Sequence, residues 1–255
     1  MLQALLQGGG EVSYDAPGGR ARMWVPATPE RRYTNAQLDD YHRAPGAAGR
    51  RLRLADGPPM RLRLRARASH AAPIGTLGFG FWNEPFSIAG SILHTPNVVW
   101  FFYASPPSDM ALVPGVPGRG WKAATLNTGR LPGLVFAPAA LAAVALTRLP
   151  GLGRPTMALA RRFMRAHETP LADVALDEWH HYQLDWDGGE ARFTVDGAER
   201  LRSPAPSAGP LGFVMWIDNQ YAIASEAGQF GFGVRPVPDP QWLEVEEFDL
   251  RGNLL

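Results

Sequence analysis

Between Met60 and Ser69 the chain reads MRLRLRARAS, with Met60, Leu62, Leu64, Ala66 and Ala68 alternating against Arg61, Arg63, Arg65 and Arg67. Only an extended strand sends successive side chains to opposite faces, so this strict period of two predicts a strand with one buried face and four guanidiniums on the other. The run RLRLAD, Arg51 to Asp56, repeats the pattern, and the GPP between the two runs reads as a turn. A strand buried on one side needs a second layer against it, which points to a layered β protein. The arginine face is read as a solvated outer surface; a site for anionic groups is the alternative.

Further strand signals follow in TLGFGFWN (Thr76 to Asn83) and NVVWFFYAS (Asn97 to Ser105), both rich in aromatic and β-branched residues. HHYQLDWD, EARFTVDG, LGFVMWID and WLEVEEFDL succeed one another towards the C-terminus, and Asp187-Gly188-Gly189-Glu190 is a hairpin signal. The 28 Gly and 24 Pro suit an all-β fold with many turns, and 255 residues can form one sandwich domain spanning 1–255. Residues 131–169 differ. FAPAALAAVALTRL and RPTMALARRFMRAH predict two short helices, an insertion that packs on the sheet, covers a ligand or contacts a membrane surface through 131–166.

A net charge of +1 and the lack of a recognisable motif argue against nucleic acid as a partner. Neither disulfides nor thiolate metal sites can form without Cys. MLQALLQGGGEVSYD lacks the basic and apolar regions of a signal peptide, so a cytoplasmic location is the default expectation. No stretch is long and apolar enough for a transmembrane helix.

EWHHYQLDWDGGEARFTVDGAERLR, Glu178 to Arg202, resembles the late hairpin of family 16 glycoside hydrolases, the laminarinase and β-glucanase group. His180, His181, Tyr182, Trp186, Phe193, Val195, Asp196 and Gly197 match its pattern in order. PLGFVMWIDNQ (Pro210 to Gln220) resembles the following strand, which lines the sugar cleft, and WLEVEEFDL the last one. The resemblance implies a concanavalin A-like jelly-roll sandwich of two antiparallel sheets with 131–169 inserted. It also implies a strand carrying Glu-x-Asp-x-x-Glu, and the corresponding strand here is NVVWFFYAS, with no carboxylate on either face. The family's retaining carboxylate pair is therefore not expected.

The aromatic residues that the resemblance directs to the cleft are Trp82, Trp100, Tyr103, Trp121 and Trp216, each otherwise ordinary core. Asn83 and Glu84 end one strand; Asp218, Asn219 and Gln220 follow Trp216; YTNAQLDDYH adds Asp39 among Asn35, Gln37, Asp40, Tyr41 and His42. Glu84, Asp218, Asp39 and Lys122 are the candidates for proton transfer, Glu84 and Asp218 as a pair if they meet. Lys122 is the sole lysine among 25 basic residues and adjoins Trp121, which suggests a cation–π contact or a desolvated base. His180 and His181 face opposite ways on a strand, so no metal or other cofactor is expected, although relatives carry a structural calcium. Three readings stay open: a glycan-binding or glycan-acting protein, an enzyme or carrier for a lipophilic small molecule, and a non-catalytic interaction module. Oligomeric state is not legible.

Overall fold

The computed structural model describes residues 2–41, 58–83, 95–129, 142–143, 145–206 and 211–252. Its first strands are β1 (Gln3–Gln7), β2 (Glu11–Asp15), β3 (Arg20–Val25), β4 (Asn35–Asp39), β5 (Met60–Ala68), β6 (Thr76–Trp82) and β7 (Asn97–Ala104). Next come β8 (Asp109–Met110), β9 (Gly120–Asn127), a helix α1 (Gly153–Phe163) and β10 (Arg165–Pro170). The chain closes with β11 (His180–Asp187), β12 (Glu190–Val195), β13 (Ala198–Pro204), β14 (Gly212–Asp218), β15 (Gln220–Ala224), β16 (Phe230–Val234) and β17 (Gln241–Gly252).

β5 behaves as its period requires. Met60, Leu62, Leu64, Ala66 and Ala68 are buried in the intersheet core, while the arginines alternate outward. Outside, Arg61 meets Asp185 at 2.5 Å, Arg67 meets Glu244 at 3.0 Å and Arg65 meets Glu246 at 3.5 Å. The guanidiniums of Arg65 and Arg67 each lie 4.8 Å from the Trp179 ring centre. These half-exposed pairs contribute about 0–1 kcal/mol apiece. Strands β11 and β17 thus supply carboxylates to Arg61, Arg65 and Arg67, while Arg63 is exposed.

The architecture is an all-β jelly-roll sandwich. One seven-stranded sheet has the order β1-β4-β14-β6-β7-β9-β10, and the other runs β13-β12-β11-β5-β17-β3-β2. All pairings within both sheets are antiparallel. A smaller sheet, β16-β15-β8, stands apart. Between the large sheets, Phe79 and Phe101 pack at 5.4 Å and Phe101 meets Phe193 at 5.2 Å, with Trp186 and Phe213 beside them. Such rings bury the largest apolar areas per residue and dominate the core energetics.

The predicted turn Asp187-Gly188-Gly189-Glu190 does join β11 to β12, with Asp187 paired to Glu190. The next hairpin turns on Asp196 and Gly197 with φ of +50° and +79°, the two positive values that a type I′ turn demands. One sequence expectation changes, and two fall wholly or partly outside the described residues. RLRLAD at 51–56 lies outside the described residues, as does half of the first helix of the insertion, of which 142–143 and 145–147 are helical. The second helix ends at Phe163, not near Thr169: Arg165–Pro170 forms β10 and pairs with β9. Edge pairing to an open strand outweighs the helical spacing of MRAH. Among the described residues, no helix is long and apolar enough to cross a membrane.

Candidate functional site

The face of the first sheet directed away from the core can be mapped from its register. Trp216 of β14 lies opposite Gly78 of β6 and Gln37 of β4; Gly78 lies opposite Phe102 of β7, and Phe102 opposite Lys122 of β9. Two residues along, the row reads Asp39, Val214, Gly80, Trp100, Ala124 and Glu168, the last on β10. A third row holds Gly212, Trp82, Val98 and Leu126. Directly paired residues share a face, so one surface collects three tryptophans, Phe102, three carboxylates and the lone lysine.

The aromatic residues form a connected panel. Trp100 stacks on Phe102 at 5.1 Å with 14° between planes, lies 5.3 Å from Trp216 and 5.8 Å from Trp82. Glycines make this possible. A Cβ on Gly78 would stand 2.9 Å from the Trp216 ring, and one on Gly80 would stand 2.6 Å from Trp100 Cβ. The central strand is bare there, and its neighbours' rings close over it. Both outer indoles spend their N–H inside the protein: Trp82 donates to Tyr41 Oη at 2.5 Å and Trp216 to Thr76 Oγ1 at 2.9 Å. Ring faces and edges are what remains for a ligand.

Polar groups flank the panel at both ends of the strands. Gln37 Nε2 donates to Asp39 Oδ2 at 2.8 Å and to Tyr41 Oη at 3.2 Å, and Asp39 Oδ1 accepts the Tyr41 backbone N–H. At the other end Asp218 Oδ1 accepts from Thr76 Oγ1 at 2.8 Å, the Thr76 N–H at 3.3 Å and the Gln220 N–H at 3.0 Å. Burial disfavours its charge more than these donors favour it, and its pKa is pushed up to about 6. The third polar element is an ion pair closed off from water. Lys122 Nζ donates to Glu168 Oε1 at 3.2 Å and to the Pro117 carbonyl at 2.8 Å, with side chains 2% and 5% exposed. Burial raises the Glu168 pKa, and the opposing pull of Lys122 offsets only part of that rise.

Several sequence candidates stand elsewhere. Tyr103 and Trp121 point between the sheets, where Trp121 packs on Phe79, Phe101 and Tyr182. Strand alternation explains both: they are out of phase with Trp100 and Lys122. For the same reason Lys122 turns away from Trp121, and the expected cation–π contact is replaced by the Glu168 pair. Asn219 is fully buried and structural, accepting the Thr34 N–H and donating to the Arg32 and Arg235 carbonyls. Asn83 ties the strand ends, donating to the Thr95 carbonyl and accepting the Asn97 N–H. Gln220 is an exposed residue of β15, in the small sheet. Glu84 and His42 lie outside the described residues.

Asp39 and Asp218 sit on adjacent strands but four residues out of register, about 14 Å apart along the sheet. That exceeds the separations of about 5–5.5 Å or 6.5–9.5 Å used by retaining and inverting glycosidases. Glu168 is four strands further across from Val214, the partner of Asp39. The described carboxylates are thus dispersed around the panel instead of paired over it. No three His, Asp or Glu side chains among the described residues gather as metal ligands. Phe102, Thr76 and Glu168 were not singled out from the sequence. Phe102 shares the phase of Trp100 and could have been; Glu168 is brought to Lys122 by pairing across 46 residues.

No family model matches the chain, and no curated protein matches it. Among solved structures it is similar to Bacillus licheniformis beta-glucanase, with a TM-score of 0.47 and 11% identity over 99% of this chain and 92% of that one. It is also similar to an immunostimulatory antigen and pseudo beta-1,3-glucanase of Mycobacterium tuberculosis (TM-score 0.45, 10% identity, 92% and 75% covered). A glycosyl hydrolase family 16 protein from Mycobacterium smegmatis has a TM-score of 0.41 at 11% identity, with 89% and 74% covered.

Proposed function

We propose that the protein binds a carbohydrate across the outer face of its first sheet, with sugar rings stacked on Trp82, Trp100, Phe102 and Trp216. The observation that carries this reading is the panel itself. Four rings on three adjacent strands touch one another over a glycine strand, and the N–H groups of Trp82 and Trp216 are already satisfied within the fold. A cluster of apolar ring faces and edges rimmed by amide and carboxylate groups suits the C–H faces and hydroxyl edges of sugars. Binding without hydrolysis is the form of the proposal, because the described carboxylates are not spaced as a glycosidase pair.

Depletion on insoluble β-1,3-glucan and other neutral polysaccharides tests it. Trp100→Ala is expected to lower retention by roughly tenfold or more, in line with the weight aromatic anchors carry in binding sites. No retention of the wild-type protein on any neutral polysaccharide sinks the idea.

A second reading is favoured by burial. Trp216 is only 7% exposed and Trp82, Trp100 and Phe102 are half-buried, which also suits a lipophilic ligand held in a shielded pocket. Quenching of tryptophan fluorescence by a terpenoid alcohol, with no polysaccharide retention, would favour this reading over the first.

A further inference from the structure

Helix α1 carries two apolar stripes where a surface helix needs one. Gly153 and Met157 face the domain and are buried. At about 100° per residue, Leu152, Pro155, Leu159 and Phe163 fall on another stripe well round the helix, and all four are exposed. Leu159 is 56% exposed and Phe163 71%. The segment just before the helix, a helical turn at 145–147 and the bend after it, adds Leu146 and Leu149, also exposed, and α1 packs through Gly153 onto Ala227 and Gly228. That contact joins it to the β15–β16 hairpin, whose Phe232 is 90% exposed. Isolated exposed leucines are ordinary, but this concentration on one element is not.

Charge separates along the chain in the same region. From Met110 to His167 there are eight basic residues and no acidic one, whereas the remainder has 17 basic and 24 acidic residues. Arg161 pairs with Glu226, and Lys122 with Glu168. Arg148, Arg154, Arg162 and Arg165 are exposed and have no acidic partner among the described residues. Leu and Phe on one stripe with unpaired arginines beside it match what a helix needs to lie in the headgroup layer of an anionic bilayer. A second copy of the chain is a poorer occupant, because it would set arginines against arginines.

We infer that α1, with the turn before it, docks the protein onto an anionic membrane surface, leaving the aromatic panel a separate site. Co-sedimentation of the whole protein with vesicles tests this, comparing phosphatidylcholine alone with phosphatidylcholine carrying about a third phosphatidylglycerol. Binding is expected to the mixed vesicles alone, weakened in about 0.5 M salt and lowered roughly tenfold or more by the double substitution Leu159→Glu, Phe163→Glu. Both positions are exposed, so an unchanged melting temperature separates lost docking from lost folding. Absence of sedimentation with either vesicle overturns the inference. So does undiminished binding by the double variant. A wild-type dimer in light scattering that the double variant abolishes, with vesicles ignored, would overturn it in favour of self-association.

Discussion

Trp216 closes over Gly78, its six-membered ring 2.9 Å from the place a Cβ would occupy, while the Phe101 carbonyl stands 2.3 Å from the same place. The ring could swing aside, but the carbonyl is backbone and cannot. Gly78→Ala is therefore expected to destabilise the protein by about 1–3 kcal/mol through overpacking and to displace Trp216 from Trp100. Denaturant unfolding and the tryptophan emission maximum read the two effects. Gly231→Ala is the control, because its Cβ would meet nothing nearer than Ile223 at 3.7 Å, and a change within about 0.5 kcal/mol is expected.

Trp100 and Trp121 are opposite one another in role although both were sequence candidates for the cleft. Trp121→Ala empties part of the intersheet core and should cost about 3–5 kcal/mol. Trp100→Ala removes a half-buried panel ring and should cost less stability while lowering ligand retention roughly tenfold or more. Paired measurements of unfolding free energy and polysaccharide depletion distinguish them. Equal stability losses with unchanged retention would contradict the assignment of Trp100 to the site.

Asp218 gives the fold a definite pH signature. Its pKa rises from 3.8 to about 6 on folding, so the folded state holds this proton more tightly than the unfolded chain. Its contribution favours the fold below about pH 4 and is lost as pH rises through about 6, a swing of about 3 kcal/mol. Asp218→Asn keeps an oxygen for the Thr76 and Gln220 donors and removes the titration. Unfolding free energy measured across this interval should fall less steeply with pH in the variant; parallel profiles would count against the raised pKa.

Lys122 and Glu168 form the buried pair, and removing one partner strands the other. Lys122→Ala is expected to cost about 3–5 kcal/mol, whereas Lys122→Met combined with Glu168→Gln should recover most of that loss. A double-mutant cycle on thermal or denaturant unfolding measures the coupling. Additive losses would show that the two side chains act independently.

The strand periods of β5, β7 and β14 were legible directly. Alternation assigns Met60 and Leu62 to one face and Arg61 to the other, and it sets Trp100 and Phe102 against Phe101 whatever the neighbours are. The Asp187-Gly188-Gly189-Glu190 turn was equally plain, because few residues accept the backbone a tight hairpin needs. The site was legible in pieces. Trp82, Trp100 and Trp216 were all named, but Tyr103 and Trp121 were named with them, since the choice between cleft and core depends on which face of a two-sided apolar strand meets the other sheet. β7 has large apolar residues in both phases, so period alone leaves that choice undecided.

Neighbour relations across the sheet were beyond the reach of local pattern. Asp218 meets Thr76 across 142 residues, and Lys122 meets Glu168 only because Arg165–Pro170 leaves its helical pattern to pair with β9. Side-chain alternation is a property of each strand's own backbone, and the amino-acid order carries it. Strand order and register come from closing loops and packing two sheets together, so the tertiary structure alone brought the tryptophans into contact and spread the carboxylates around them.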